Sequence, residues 1–190
     1  MNTQLRPACY EDLFELPDNV IGQIINGTLH VQPRPAGPHT LAASVLMADI
    51  NTPFHRGRGG PGGWWILTEP ELHLGMDILV PDLAGWRRER MPSIPNAAFF
   101  TLPPDWICEV LSPSTARIDR VEKMAIYARH GVQWLWLLDP LAHTLETYTL
   151  SNGHWLLEAS YADDARVRAV PFDAVELELD ALWLPPAEEQ

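Results

Sequence analysis

The stretch WICEVLSPST, Trp106 to Thr115, decides the fold because it places one acid, Glu109, inside an apolar run. The run Trp106–Leu111 predicts a buried strand, and the Ser-Pro that follows ends it. An ionised carboxylate buried without a partner costs several kcal/mol or more, so it must be neutralised, ion-paired or bound to a cation. Any prediction of the fold and the function therefore has to explain why Glu109 lies in a buried strand.

Length and composition predict the class of protein. The 190 residues, 46% of them hydrophobic, are enough for one globular domain over residues 1–190, with a tail that frays at about residues 185–190. The sequence contains no run of about 18 apolar residues and no secretory signal core, so we expect a soluble, cytoplasmic protein without a membrane partner.

The net charge and the spacing of the cysteines and histidines argue against several functions. A net charge of −12 argues against sequence-independent binding of nucleic acid, although a nuclease with a local basic patch stays open. Cys9 and Cys108 fit neither a disulfide framework nor a zinc pattern, and the seven histidines show no HExxH spacing. A zinc hydrolase is therefore disfavoured.

The first part of the chain predicts a helix, a hairpin and a second helix. The short helix is expected over residues 10–16. The strands VIGQII and TLHV flank Asn26-Gly27, which is typical of a two-residue hairpin turn. Apolar residues recur at helical spacing over residues 39–54, which predicts a helix packed on a sheet.

A glycine-rich segment, RGRGGPGG at residues 56–63, follows this second helix. It lacks the Gly-Lys-Ser/Thr ending of a phosphate-binding P-loop. Two interpretations stay open: a mobile loop, or a basic contact made by Arg56 and Arg58.

The second part of the chain predicts a largely apolar sheet. WWILTEPELHL and DILVPDLAGW indicate two strands joined near Gly75-Met76, and Asp82 interrupts the second. Beyond the Glu109 strand, Asp119 and Glu122 resemble a capping arrangement that starts a helix ending at His130. VQWLWLLDP is typical of a central strand, and a hairpin follows it. This mixture predicts an α/β or α+β fold.

Two acids and one lysine can converge from neighbouring elements. Asp82 ends one apolar strand, Glu109 lies inside another, and Lys123 falls in the helix after Glu109. Two carboxylates of this kind can hold Mg²⁺, which prefers oxygen ligands and keeps several waters. With a lysine nearby, such a site suits hydrolysis of a phosphodiester.

Several motifs together resemble one known family. VPDLAGW, WICEVLSPST, DRVEKMAIYARHGVQWLWLLDP and the opening YEDLFELPDN with INGTL are similar to the Uma2 family, also called DUF820. This bacterial family belongs to the PD-(D/E)XK superfamily of restriction endonuclease-like proteins. The resemblance covers about residues 10–184, and it implies a mixed β-sheet flanked by helices, with additional β-hairpins.

The resemblance also implies a site and an activity. Asp82 and Glu109 would hold Mg²⁺ or Mn²⁺, joined by the Val110 carbonyl, in an endonuclease that hydrolyses DNA. The superfamily's lysine normally lies two residues after the acid, where this chain has Leu111, so Lys123 is taken as its displaced equivalent. A homodimer is expected by the same analogy.

Two supporting residues and some departures complete this prediction. Tyr127 lies one helical turn after Lys123 and shares its face. The family often has acids around its hairpin turn, where this chain has Gln23, Asn26 and Thr28. A substitute carboxylate from Glu69 or Glu71, on the strand before Asp82, is expected.

Two other readings of the same residues stay open. One is a catalytically inactive, nuclease-derived domain that binds a nucleic acid or a protein. The other is a structural ion pair between Glu109 and Lys123, Arg117 or Arg120, without any site. A serine nucleophile at Ser112 or Ser114 is disfavoured, because no Gly-x-Ser-x-Gly turn is present.

Overall fold

The structure, a computed structural model, describes residues 6–185. In chain order its elements are α1 (Tyr10–Leu13), β1 (Val20–Ile25), β2 (Thr28–Pro33), α2 (Gly37–Ile50), β3 (Trp64–Thr68), β4 (Leu72–Leu74), β5 (Asp77–Leu79), β6 (Leu83–Arg87), β7 (Trp106–Val110), α3 (Ala116–Ile118), α4 (Met124–Arg129), β8 (Trp134–Asp139), β9 (Thr144–Ser151), β10 (His154–Ala162), β11 (Arg166–Val167) and β12 (Leu177–Glu178). A π-helical turn, Asn51–His55, extends α2, and another, Asp119–Lys123, joins α3 to α4. A 3₁₀ turn, Leu179–Leu182, follows β12.

A six-stranded mixed sheet forms the centre of the fold, in the order β10-β9-β8-β7-β6-β3. Only β7 and β8 are parallel within it, and the chain between them crosses over through α3 and α4. A second sheet has the order β2-β1-β5-β4, and β11 pairs with β12. The predicted class, a mixed sheet flanked by helices with additional hairpins, is confirmed.

The predicted pair of strands over residues 64–86 is wrong, because this segment forms four strands. β3 and β6 pair in the large sheet, whereas β4 and β5 pair in the small one. The breaks fall at Glu69-Pro70 and at Pro81-Asp82, where proline cannot donate a ladder hydrogen bond and Glu69 has a φ of +46°. The hairpin therefore passes from one sheet to the other, and Asp82 lies at that passage.

The predicted hairpins and the central strand are confirmed. β1 and β2 pair over six residues around Asn26 and Gly27, whose φ angles of 50° and 75° suit a type I′ turn. β9 and β10 form the second hairpin. β8 lies between β7 and β9, so it is an interior strand as its apolar sequence predicts.

The helices differ more from the prediction. α1 ends at Leu13 rather than at residue 16, while α2 and its π turn cover the predicted helix. The helical segment after Glu109 starts at Ala116, so Asp119 and Glu122 do not begin it. Asp119 is buried inside the helical segment and pairs with Lys123, so a tertiary contact uses the acid that the sequence assigned to a cap.

The predicted fraying tail lies outside the described residues, apart from Pro185. Across residues 6–185, no helix combines the length and the apolar character that crossing a bilayer requires.

An aromatic cluster fills the core on the α2 side of the large sheet. Phe172 lies at its centre, with ring centroids 4.7 Å from Phe54, 5.1 Å from Trp64, 4.8 Å from Trp106 and 5.6 Å from Trp136. The residue is fully buried. One side chain from the C-terminal segment therefore joins α2 to strands β3, β7 and β8.

We expect Phe172→Ala to lower the free energy of unfolding by about 3–5 kcal/mol, because it leaves a cavity among four aromatic rings. Urea denaturation followed by tryptophan fluorescence measures this loss. Leu156→Ala is the control, since Leu156 is 53% exposed, and its change should stay within about 0.5 kcal/mol. Equal losses for both variants would contradict the packing account.

Candidate functional site

The pairing of β6 with β7 brings the two predicted acids together. Leu83, the residue after Asp82, pairs with Cys108, the residue before Glu109, so the two acids lie close together at the end of this antiparallel pair. Both acids line one cleft. The Val110 N–H donates a hydrogen bond of 2.7 Å to Asp82 Oδ2, which fixes the carboxylate at the end of the strand.

Glu109 has two partners on the helical segment that follows its own strand. Lys123 Nζ donates to Glu109 Oε2 at 3.0 Å, and the Tyr127 hydroxyl donates to Oε1 at 2.5 Å. Lys123 and Tyr127 are one helical turn apart, so both reach the same carboxylate. Glu109 is only 1% exposed. This buried acid is neutralised by Lys123, which lies on the helical segment between β7 and β8.

Asp119 is a member of this group that the sequence analysis assigned to a helix cap. Its Oδ1 lies 3.0 Å from Lys123 Nζ, and both side chains are buried. The contact lacks hydrogen-bond geometry, and no other donor among the described residues reaches this oxygen. The spacing of Asp119 and Lys123, four residues apart on a helix, was the signal that could have paired them.

His39 is a second residue that the sequence analysis did not assign to the site. It lies in the first turns of α2, and its Nε2 is 3.1 Å from Asp82 Oδ1. Its Nδ1 is buried without a hydrogen-bond partner among the described residues. No local pattern could have placed His39 here, because the contact joins residues 43 positions apart through the tertiary fold.

The electrostatics of this group are dominated by burial and by its excess of acids. Burial raises the pKa of Glu109 to about 8, although Lys123 opposes the shift. Burial lowers the pKa of Lys123, but Glu109 and Asp119 together raise it above its usual value. Burial also lowers the pKa of His39, but Asp82, helped by Asp119 and the Val110 backbone, raises it above its usual value. Three carboxylates thus surround one lysine and one histidine.

These side chains lie at the bottom of a cleft of about 300 Å³. Its walls come from the Pro-rich chain after β2, the turn after β7 and the chain after β8; they include Pro35, Pro38, Pro113, Pro140 and Leu141. Asp82 and His39 are 18% and 14% exposed, so this part of the group opens to solvent. A second cleft, of about 410 Å³, shares His39, Glu69 and Asp82 with the first.

Comparison with known proteins places the chain in a family. Residues 10–181 match the Uma2 family, described as "Putative restriction endonuclease". The chain belongs to the Uma2 family. No curated protein matches it.

A solved structure agrees with this assignment. The crystal structure of "a putative nuclease belonging to DUF820" from Anabaena variabilis superposes with a TM-score of 0.71 at 25% sequence identity. The match covers 93% of this chain and 97% of that one. The predicted resemblance to Uma2 is confirmed, and the family supports a nuclease function.

Among the remaining residues predicted for this Uma2 site, Val110 and Glu69 line the first cleft but Glu71 does not. Glu71 Oε1 instead lies 2.7 Å from His73 Nε2. Gln23 is buried and its amide oxygen accepts a hydrogen bond from the Val80 N–H. Of the two residues predicted as a substitute carboxylate, only the exposed Glu69 lines the cleft, and its role stays a prediction.

The buried ion pair can be tested without any assay of activity. We expect Lys123→Met to lower the free energy of unfolding by about 3–5 kcal/mol, because two buried carboxylates lose their only lysine. Urea denaturation in EDTA measures the loss. Arg117→Met is the matched control, since Arg117 is 81% exposed and lies 3.7 Å from its acidic partner.

Adding Glu109→Gln to Lys123→Met should restore part of the lost stability, because it removes one of the two uncompensated charges. A double variant whose loss equals the sum of the two single losses would show that Glu109 and Lys123 do not interact.

Proposed function

We propose that this chain is a Mg²⁺- or Mn²⁺-dependent endonuclease that hydrolyses phosphodiester bonds of DNA. The observation that carries the proposal is the convergence of Asp82, Glu109 and Lys123, from three elements, at the bottom of one open cleft. The nuclease descriptions of the family and of the solved relative support the same class of reaction.

The donor set suits a magnesium ion better than a zinc ion. No group of three or more His, Cys, Asp or Glu within residues 6–185 is arranged to hold a metal. Magnesium needs only one or two carboxylates, because water and substrate phosphate supply its other ligands. Asp82, Glu109 and Asp119 line the same cleft as Lys123, so a divalent ion would compensate negative charge there.

Asp82 and Glu109 would hold the ion, with the Val110 carbonyl as a further oxygen ligand. A bound divalent ion acidifies an attacking water and offsets charge on the phosphoryl oxygens. Lys123 has three N–H donors, of which Glu109 and Asp119 face two, so the third can hold the attacking water or a phosphate oxygen. The Tyr127 hydroxyl fixes the orientation of Glu109.

A non-catalytic domain that binds a nucleic acid or a protein is the second candidate. One observation favours it: both oxygens of Asp82 and both oxygens of Glu109 already have protein partners. Metal binding must then displace or share a hydrogen bond at each acid. Cleavage is the property that separates the two candidates.

Two copies of the chain would be needed to cut both strands of a duplex in one encounter, and we propose a homodimer for this reason. Sedimentation of the purified protein with and without duplex DNA tests this part of the proposal. A protein that stays monomeric while cutting both strands would contradict it.

The decisive experiment incubates the purified protein with supercoiled plasmid and millimolar Mg²⁺ or Mn²⁺. We expect nicked and linear products, and we expect EDTA to abolish them. Asp82→Asn and Glu109→Gln should each lower the rate by at least about a hundredfold, because each removes a charged metal ligand while keeping the side-chain shape. Gel electrophoresis over time measures the rates.

The control for this experiment is Glu71→Gln, which removes a carboxylate that does not line the cleft. Its cleavage rate should stay within about threefold of the wild type, since surface changes away from a site have small effects. Thermal melts establish that all three variants are folded. A folded wild type that binds Mg²⁺ but cuts neither DNA nor RNA would overturn the enzyme in favour of the binding domain.

A further inference from the structure

A cluster of arginines lies at the opposite end of the large sheet from the acids. We define the arginine patch as Arg56, Arg58, Arg87, Arg88 and Arg90, which are five of the chain's 13 basic residues. Arg56 and Arg58 belong to the glycine-rich loop after α2, and the other three belong to the end of β6 and the turn after it. In a chain with a net charge of −12, this concentration of positive charge is exceptional.

The patch is built around aromatic rings and backbone carbonyls. Arg88 lies over the Trp65 ring at 4.0 Å, and its Nη2 donates to the His55 carbonyl at 2.7 Å. Arg87 lies over the rings of Trp64 and Trp134. Such contacts fix the guanidinium groups, so that less side-chain entropy is lost when they bind an anion.

Two of the five arginines have acidic partners among the described residues, and the other three do not. Arg90 pairs with Asp105 at 2.8 Å, and Arg87 lies 3.4 Å from Glu89. Arg56 and Arg58 are exposed, and neither forms an ion pair within the described part of the chain. Arg88 contacts the carbonyl of His55, the residue before Arg56, so these cations share one location. Burial, together with Arg88 and Arg56, accordingly lowers the pKa of His55.

The loop that carries Arg56 and Arg58, for which a mobile loop and a basic contact both stayed open, is held by backbone hydrogen bonds. The Arg58 N–H donates to the Thr52 carbonyl, and the Gly62 N–H donates to the Pro53 carbonyl at 2.9 Å. The loop therefore folds back on the π turn at the end of α2. Its two free guanidinium groups project from an anchored segment.

The second cleft, here called the groove, starts at the acids and follows α2, the helix whose π-helical extension ends next to Arg56. The second cleft follows one face of α2, where it is lined by Thr40, Ala43, Ser44 and Met47, and its other wall includes Thr68 at the end of the edge strand β3. These side chains are neutral and include three hydroxyls, whereas the acids Glu69 and Asp82 lie only at the end of the groove nearest the site. The same helix continues through its π turn to Arg56.

We propose that the arginine patch binds the sugar–phosphate backbone of a nucleic acid whose strand runs along α2 and β3 to the acids. From Asp82 to Arg87 is five strand residues, or about 17 Å, which matches about five base pairs at 3.4 Å each. The patch thus binds DNA away from the site of cleavage, where the acids would repel phosphate. This inference rests on the proposed function only for the choice of a nucleic acid as the polyanion.

The test measures binding in EDTA, so that its result does not depend on metal or on cleavage. Fluorescein-labelled DNA of about 20 base pairs, long enough to span the groove, is titrated with protein at several salt concentrations while anisotropy is recorded. Arg56→Gln/Arg58→Gln should weaken binding at low salt by roughly tenfold or more and should lower the slope of log Kd against log salt by about 2.

The matched control is Arg166→Gln/Arg168→Gln, which removes two exposed arginines from β11 and the residue after it. It should bind within about twofold of the wild type, because the net charge changes equally but the groove is untouched. The same comparison on a single strand of equal length shows which form of DNA the groove prefers.

Three results would overturn the inference: a wild type that does not bind in EDTA at low salt, an unchanged Arg56→Gln/Arg58→Gln variant, or an equal loss in the control variant. Failure of the proposed catalysis looks different. In that case the patch-dependent binding persists while no DNA is cut, and only the enzyme is rejected.

Discussion

The ion pair between Glu109 and Lys123 is the interaction on which the rest of the structure depends. It joins the helical segment between β7 and β8 to β7, which is one of the two parallel strands of the large sheet. A buried ion pair contributes little net stability, since apolar residues of the same volume would hold the helix as well or better. The presence of charge at this position is what the proposed function explains, with the cleft as the route by which a substrate would reach it.

The passage of the β3–β6 segment from one sheet to the other is the second constraint on the site. If β5 and β6 were one continuous strand, Pro81 and Asp82 would lie inside a ladder that proline cannot complete. By changing sheets at this point, the chain frees the Asp82 carboxylate to accept the Val110 N–H and to contact His39. The same passage exposes Glu69, so the break in the strands creates the acidic end of the groove.

The net charge of the chain hides an uneven distribution of charge. Acids gather in the cleft that the proposed function assigns to the attack on a phosphate, and arginines gather at the other end of the same helix and edge strand. Electrostatic attraction acts over about 8–10 Å at physiological salt, so the local charge near a phosphate matters more than the sum over the chain. An acidic protein can thus bind a polyanion, provided that binding and chemistry occupy different ends of one groove.

The sequence by itself determined several of the local elements and identified the principal acids. Strand and helix periods predicted β1, β2, α2 and the central strand β8, and the buried acid in the Trp106–Leu111 run identified Glu109 as the residue to explain. Asp82 and Lys123 were singled out by their places on neighbouring elements, and the family resemblance then assigned them roles. The structure brings them together, although their catalytic roles stay predictions.

Only the tertiary structure decided the division into two sheets, the place of Glu71 away from the cleft, and the membership of Asp119 and His39. The physical reason is the distance along the chain over which each effect acts. Backbone periodicity and turn chemistry depend on a few neighbouring residues, so the local sequence is enough to predict them. The partner of a buried charge is chosen by strand pairing and helix docking between segments far apart in the chain, and no local pattern records that choice.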